Sequence, residues 1–484
     1  MNSLVGRVLT GFKWTSASKL SFSLVQLCQL VILSRLLNPS DFGLVSMAMI
    51  IIGFSHIFAD FGVSNGIIQR EEVNDTDLST LYWFNIATGI IITSIVFTLS
   101  GLIAHIFDEP RLALYVKVLS FVFLINSFYL LYLSILKKKL NFQVIAKMEV
   151  LSRLISFLIV VIIAYFNPSP MAIVAGTLSY SFVFCLVILI FGRQGFRPKI
   201  EFNLESVKDV ISFGFYNMGQ NTIVYLNNQL DIILIGRVLG AEVLGVYSLI
   251  KQVVMKPAQI FNPIVTSVMF PVMSTIRSDK ELLKKYYLQT LAFTSSINFI
   301  VYLLFIAFSK DIIDVVLGDK WSNSNELFSI LCLYALFRST TNPAGSLILA
   351  CGKAKWGMYW SFFEVTLMPL SIYLGSKFGV NGIAWGLVVF QLVTLLPTWY
   401  FLVSKLCDCS LYDYFIVQIK PLCSSILVVG SIYLLLNSEW LSQANSGKYF
   451  FIIPFTCVTA YISTRFINND VYEGVCAALK RGKS

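Results

Sequence analysis

The sequence predicts an all-α polytopic membrane protein. About fourteen transmembrane helices form two pseudo-symmetric six-helix lobes around a central cavity, with two further C-terminal helices. Three observations carry this. Of 484 residues, 57% are hydrophobic and 13% charged, and the mean hydropathy is +0.76. Soluble domains carry about a quarter charged residues, and half that charge cannot cover an aqueous surface. The apolar residues also fall into runs of about 20, the length that crosses the hydrocarbon core; barrel strands would alternate over about ten. Finally, one stretch of the first half recurs in the second.

The first run, 14–36, follows Arg7 and Lys13. Its flanks are signal-like, but no small-residue cleavage site follows, so it reads as a retained first span. Runs at 42–66, 80–107, 112–136, 144–166 and 170–191 complete the first lobe. The polar stretch from Gly192 to Asp209 separates it from runs at 210–236, 243–271, 287–309, 326–350, 356–376 and 380–404. A second break, Lys405 to Lys420, precedes 421–436 and 449–467. The expected divisions are 1–199, 200–405 and a C-terminal helix pair with its tail at 406–484. No loop reaches the roughly 50 residues of a separate domain.

The net charge of +10, from 36 Lys+Arg against 26 Asp+Glu, is mostly topology. With the N-terminus inside, 23 basic residues fall on the inner side and eight on the outer. That asymmetry places both termini in the cytoplasm and makes a nucleic-acid partner unnecessary. Five bases remain inside spans: Lys19, Arg153, Lys251, Lys256 and Arg338.

The nine cysteines are odd in number and mostly sit in apolar runs, as small hydrophobes do. Cys407 and Cys409 form a lone C-x-C without a second pair, and His56 and His105 lie far apart, so no metal site is expected. No G-x-x-x-x-G-K-[ST] stretch occurs, which excludes a P-loop ATPase. No cofactor is expected.

The repeat has an offset of 202. Leu30-Val-Ile-Leu-Ser-Arg35-Leu-Leu37 matches Ile232-Ile-Leu-Ile-Gly-Arg237-Val-Leu239; Gly43 then matches Gly245, and Ser46 matches Ser248. A fainter echo at offset 210 sets Ile173 and Gly176 against Ile383 and Gly386. Both copies of the 202 repeat leave the same side, so their axis runs along the membrane normal, as in transporters built from parallel repeats.

Several stretches carry a family resemblance. They are Lys13-Trp14 with Ser34-Arg35-Leu-Leu, Asp60-Phe-Gly-Val-Ser-Asn-Gly-Ile-Ile-Gln-Arg70 and Asp231-Ile-Ile-Leu-Ile-Gly-Arg237-Val-Leu-Gly240. Gly318-Asp-Lys-Trp321 and Leu336-Phe-Arg338-Ser-Thr-Thr-Asn-Pro343 join them. The chain resembles the colanic-acid-exporter-like branch of the Wzx-type O-antigen and capsule flippases. These belong to the multidrug/oligosaccharidyl-lipid/polysaccharide exporter superfamily. The likeness spans residues 10 to 404. It implies a carrier in the bacterial inner membrane that moves an undecaprenyl-pyrophosphate-linked sugar unit between leaflets. It also implies polysaccharide polymerase and glycosyltransferases as pathway partners, and a groove for the lipid tail in the last two helices.

A charge deep in a span costs about 2.5–3.5 kcal/mol on insertion scales, so it normally faces a cavity or a partner. Arg153 and Arg338 lie near mid-span; Lys251 and Lys256 lie centrally beside Pro257 and Pro263. Five bases against three acids (Asp60, Asp231 and Glu364) leave positive charge, which suits a pyrophosphate. Lys19 either snorkels to head groups or joins that set. Arg35 and Arg237, at helix C-terminal ends, suit the helix dipole. Asp231 either pairs with Arg237 or carries a coupling proton; Asp60 and Glu364 are proton or sodium candidates. Arg153 and Glu364 occupy nearly equivalent points of the 210 echo, which suits an ion pair between lobes, fixed or breaking as they rock. Tyr216, Tyr225, Tyr247 and Trp360 are candidates to stack on sugars.

Two rival classes fit less well. A multidrug or small-cation antiporter would show an acidic, aromatic-lined pocket, against the surplus of bases here. A membrane enzyme of polysaccharide assembly would carry its reactive cluster in a sizeable loop, and this chain has none. The sequence therefore reads as a transporter, not an enzyme.

Overall fold

Apolar runs without water to bond their backbone must close their hydrogen bonds internally, and the chain does so by helix. The computed structural model describes residues 2–60, 67, 74–192, 196–201 and 203–436, and no strand occurs among them. In chain order the helices are α1 (Asn2–Leu36), α2 (Pro39–Asp60), α3 (Asp75–Ile106), α4 (Leu112–Lys138), α5 (Phe142–Phe166) and α6 (Pro170–Phe191). They continue as α7 (Leu204–Thr275), α8 (Lys280–Ala307), α9 (Ser309–Val316), α10 (Asn325–Thr340), α11 (Pro343–Ala350), α12 (Ala354–Ser376) and α13 (Gly379–Pro397). A π-helical stretch, Thr398–Ser404, and a last turn, Lys405–Cys407, extend α13, and α14 (Leu411–Leu436) follows. Prolines open α2, α6 and α11, where a missing N–H costs nothing and the fixed φ suits the first turn. Asp279 caps α8 by accepting from the Leu282 amide at 3.0 Å.

Among the described residues, nine helical stretches are long and apolar enough to cross a membrane. The surfaces agree: Ile91, Ile95, Leu99, Leu102 and Ile106 form an exposed stripe on α3 at helical spacing. So continuous an apolar stripe suits hydrocarbon rather than water.

Two compact units divide the chain, Met1–Leu249 and Ile250–Ser484. In the first, α3 packs along α4 and α5 against both α1 and α6. The segment before α7 is strapped to the start of α3: the Lys199 amide donates to Ser79 Oγ (3.1 Å), Trp83 Nε1 to the Lys199 carbonyl (2.9 Å), and the Asn203 amide to Thr80 Oγ1 (3.0 Å). In the second unit α8 packs on α14 and α12 on α13, and the ion pairs Lys280–Asp408 and Lys284–Asp413 join the start of α8 to the chain around the start of α14.

The 202 repeat becomes a contact. Helix α7 is two limbs merged across Gly240, whose φ of 81° and ψ of 179° are non-helical and readily open to glycine. The chain reverses there: Tyr247 Oη lies 2.5 Å from Asp231 Oδ2, whereas sixteen residues of straight helix would span about 24 Å. In the first copy Asn38, the equivalent of Gly240, separates α1 from α2.

The two hairpins then meet reciprocally. A Cβ on Gly43 would lie 1.7 Å from the Ala241 carbonyl oxygen, and one on Gly245 would lie 1.7 Å from that of Pro39. Pro39 and Ala241 are themselves equivalent at offset 202, and Ser46 Oγ donates to Ser248 Oγ, its own equivalent, at 2.8 Å. A residue touching its own copy, with i to j mirrored by j to i, marks a two-fold axis. The 210 echo behaves similarly within each unit: a Cβ on Gly176 would meet Val160 of α5, and one on Gly386 would meet Ser371 of α12.

The expected spans are modified at several points. The expected loop between 236 and 243 is a single residue's turn inside α7. Span 326–350 is not continuous; it breaks between α10 and α11, because Pro343 has no N–H to donate to the Ser339 carbonyl one turn earlier. The first span's apolar part is Ser21–Leu36 of the longer α1. Residues 61–66 of the second expected span and the whole of 449–467 lie outside the described residues.

Candidate functional site

Arg153, on α5, is held by two rings. Its guanidinium carbon lies 4.1 Å from the Phe22 ring centroid on α1 and 4.3 Å from that of Tyr180 on α6. Tyr180 stacks in turn on Phe184, 5.7 Å away and nearly parallel. One turn before Arg153, Glu149 Oε2 accepts from Ser18 Oγ at 3.0 Å. Ser18, Ser21, Phe22, Val25, Glu149, Val150 and Arg153 line one narrow crevice. The rings stabilise the cation through their faces, but among the described residues the buried Nε has no hydrogen-bond partner. Stacked rings cannot accept in the guanidinium plane, where phosphate oxygens bind. Glu149, Ser18, Phe22 and Tyr180 are absent from the sequence-derived set: Ser18 and Glu149 are 131 positions apart, and nothing in their spacing announces a contact.

Asp231 is wholly buried. It accepts from Tyr247 Oη across the Gly240 reversal, and its other oxygen accepts from the Ile232 amide at 2.9 Å. Tyr247 is wholly buried too, so its ring is a structural partner of Asp231 and not a surface for sugar. Arg237, the expected partner, is exposed. Tyr225 donates to the Ile50 carbonyl at 2.8 Å and fastens the first limb of α7 to α2. The side chains of Tyr216 and Asp60 lie outside the described residues, although Asp60 closes α2.

In the second unit Lys251 is half-buried and Lys256 buried, at 9% exposure. Arg338, in the last turn of α10, donates to Tyr334 Oη at 2.6 Å. Beside it lies a polar network that the sequence reading missed. The Ser339 carbonyl, released by Pro343, accepts from Asn262 Nδ2 at 3.2 Å, and Asn262 Oδ1 accepts from Asn298 Nδ2 at 3.2 Å. A freed backbone carbonyl in an apolar setting needs a side-chain donor, and Asn262 supplies it. The proline was legible as a signal; the helix that answers it was not.

Glu364 is half-buried on α12 and accepts from Trp360 Nε1 at 2.9 Å. Lys19 is exposed on α1, just before its apolar part. Thus Arg153 and Asp231 sit in separate settings of the first unit, and Lys251, Lys256, Arg338 and Glu364 belong to the second. Among the described residues no group of three or more His, Cys, Asp or Glu side chains is arranged to hold a metal ion.

Residues 32–326 match the family model described as polysaccharide biosynthesis protein. The chain is 31% identical over 413 residues to the lipopolysaccharide biosynthesis protein WzxC of Escherichia coli (strain K12), covering 85% of this chain and 84% of that protein. It is 29% identical over 423 residues to the teichuronic acid biosynthesis protein TuaB of Bacillus subtilis (strain 168), covering 87% of each. Among solved structures, the lipid II flippase MurJ in an inward closed conformation superposes with a TM-score of 0.76 at 14% identity, over 94% of this chain and 99% of that one. That likeness is one of fold.

Proposed function

The chain belongs to the polysaccharide biosynthesis protein family, and from that premise we propose that it is a flippase for undecaprenyl-pyrophosphate-linked oligosaccharide. It carries repeat units of a surface polysaccharide from the cytoplasmic to the outer leaflet of the inner membrane, with both termini cytoplasmic. The repeats act as two lobes, 1–199 and 200–405, followed in the chain by the expected helix pair and tail at 406–484. Arg153, Lys251, Lys256 and Arg338, with Lys19 towards the inner head groups, bind the pyrophosphate while the lipid tail stays in hydrocarbon. Alternating access exposes this site to each face in turn. Asp231, Glu364 and Asp60 are the groups through which an ion gradient resets the carrier.

The observation that supports this best is Arg153. A buried donor left without a partner on a half-buried cation is costly, and an anionic oxygen in the guanidinium plane removes that cost without disturbing either ring. The cycle needs no bond made or broken in the cargo: only charge neutralisation, helix movement and release.

The test is complementation of a strain lacking its own flippase, scored by surface polysaccharide. Arg153→Ala, Lys256→Ala and Arg338→Ala should each abolish it at unchanged membrane protein level. Wild-type polysaccharide from all three would overturn the cationic site.

A further inference from the structure

A second feature lies in the unit Ile250–Ser484. Trp356, Tyr359, Trp360 and Phe363 recur at i, i+3, i+4 and i+7 along α12, one face of a helix. They line a cleft of about 340 Å³ together with Phe401, Leu402 and Lys405 from the end of α13. The far wall is π-helical. Pro397 lacks an N–H for the preceding turn, and the ladder widens over Thr398–Ser404, a local form often found at functional sites.

Two lysines flank the cleft. Lys405 Nζ lies 5.4 Å from the Phe401 centroid, and Lys353 Nζ lies 5.8 Å from that of Trp356; both lysines are exposed. Inside, the indole N–H of Trp360 is already given to Glu364, so the ring offers the cleft only its apolar faces.

We propose that this cleft is a binding site for an acidic phospholipid, with one acyl chain along the α12 rings and the anionic phosphate between Lys353 and Lys405. Charge and polarity choose this occupant. A cationic amphiphile would find aromatic faces but two ammonium groups beside them. A sugar would find only the Tyr359 hydroxyl, the Trp356 N–H and Lys405 to bond its many hydroxyls among these lining residues, whereas an acyl chain needs no partner and a phosphate needs the cations. Basic side chains beside an anionic head group contribute on the order of fivefold each in affinity.

The test uses the full chain in phosphatidylcholine vesicles containing phosphatidylglycerol with brominated acyl chains, whose bromines quench tryptophan on contact. The Trp360 signal is the difference between wild type and Trp360→Phe. Half-quenching should occur at a several-fold lower mole fraction of brominated phosphatidylglycerol than of brominated phosphatidylcholine. Lys353→Gln/Lys405→Gln, at two exposed positions, should abolish that preference while helical content stays unchanged. Equal quenching by both head groups in wild type, or a preference surviving in the double variant, would overturn the proposal. So would reversal of the quenching by undecaprenyl phosphate at lower mole fractions than phosphatidylglycerol itself, which would assign the cleft to the tail of the cargo.

Discussion

Replacing Gly43 by alanine tests the two-fold contact directly. The new Cβ would stand 1.7 Å from the Ala241 carbonyl oxygen and 2.6 Å from its carbon, against about 3.3 Å for an ordinary carbon–oxygen contact. Both neighbours are backbone, so no side chain can rotate away; the second limb of α7 must withdraw from α2 by roughly 1.6 Å. Overpacking of this kind typically costs 1–3 kcal/mol, and a rigid backbone clash belongs near 3. The separation also stretches the 2.8 Å bond between Ser46 and Ser248. Because the contact is reciprocal, Gly245→Ala, with its Cβ 1.7 Å from the Pro39 oxygen, should cost about the same. The double variant should then cost little more than either single one, since one withdrawal relieves both clashes. That is a coupling of about 2–3 kcal/mol between the sites. The assay is thermal unfolding of the purified chain in detergent, with complementation alongside. Additive losses, or alanine at either position with wild-type stability, would refute the reasoning.

Other predictions follow from single contacts. Asn262→Leu should lower stability by about 1–3 kcal/mol, because the Ser339 carbonyl keeps only a 3.4 Å contact from the Asn342 amide. Adding Pro343→Ala, which restores an amide donor to that carbonyl, should recover most of the loss in the same unfolding assay. Tyr247→Phe should cost about 1.5–3 kcal/mol by removing a donor from a buried carboxyl, read as a lower unfolding midpoint. Outside the spans, the Arg111 guanidinium, bonded to Glu109 at 2.8 Å, holds the Glu109 carboxyl below its ordinary value of 4.5. Its stabilisation is therefore complete above pH 4.5 and lost as pH falls through the lowered value. Arg111 is largely exposed, so the effect is about 0.5 kcal/mol or less; Arg111→Gln should flatten that part of the stability–pH curve.

What was legible in the sequence depended on whether the signal was local. Apolar runs carried the all-helical membrane fold class because bilayer thickness imposes a length on each helix. The repeat was legible in Arg35/Arg237, Gly43/Gly245 and Ser46/Ser248, since identities among polar and small residues stand out from an apolar background. That those glycines touch each other's hairpins follows from a two-fold axis, which spacing along the chain does not specify. Arg153 could be singled out as a charge in a span, yet Phe22 and Tyr180 looked like any other aromatic residue there. Span 326–350 looked continuous because hydropathy does not register that Pro343 withholds one hydrogen bond, and Asn262 gained its meaning only when that carbonyl was found beside it. The aromatic face of α12 was present at helical spacing, but its partner wall depends on a π-helical widening that no local pattern announces.

The most direct measurement is transport by the purified chain alone. Vesicles with the protein and a fluorescent undecaprenyl-pyrophosphate oligosaccharide in both leaflets are exposed to a membrane-impermeant reagent that modifies only outer-leaflet sugar. The account predicts that nearly all of the sugar becomes accessible over time with wild type, and only the initial outer half with Arg153→Ala. Accessibility confined to that half with wild-type protein, as in protein-free vesicles, would contradict it.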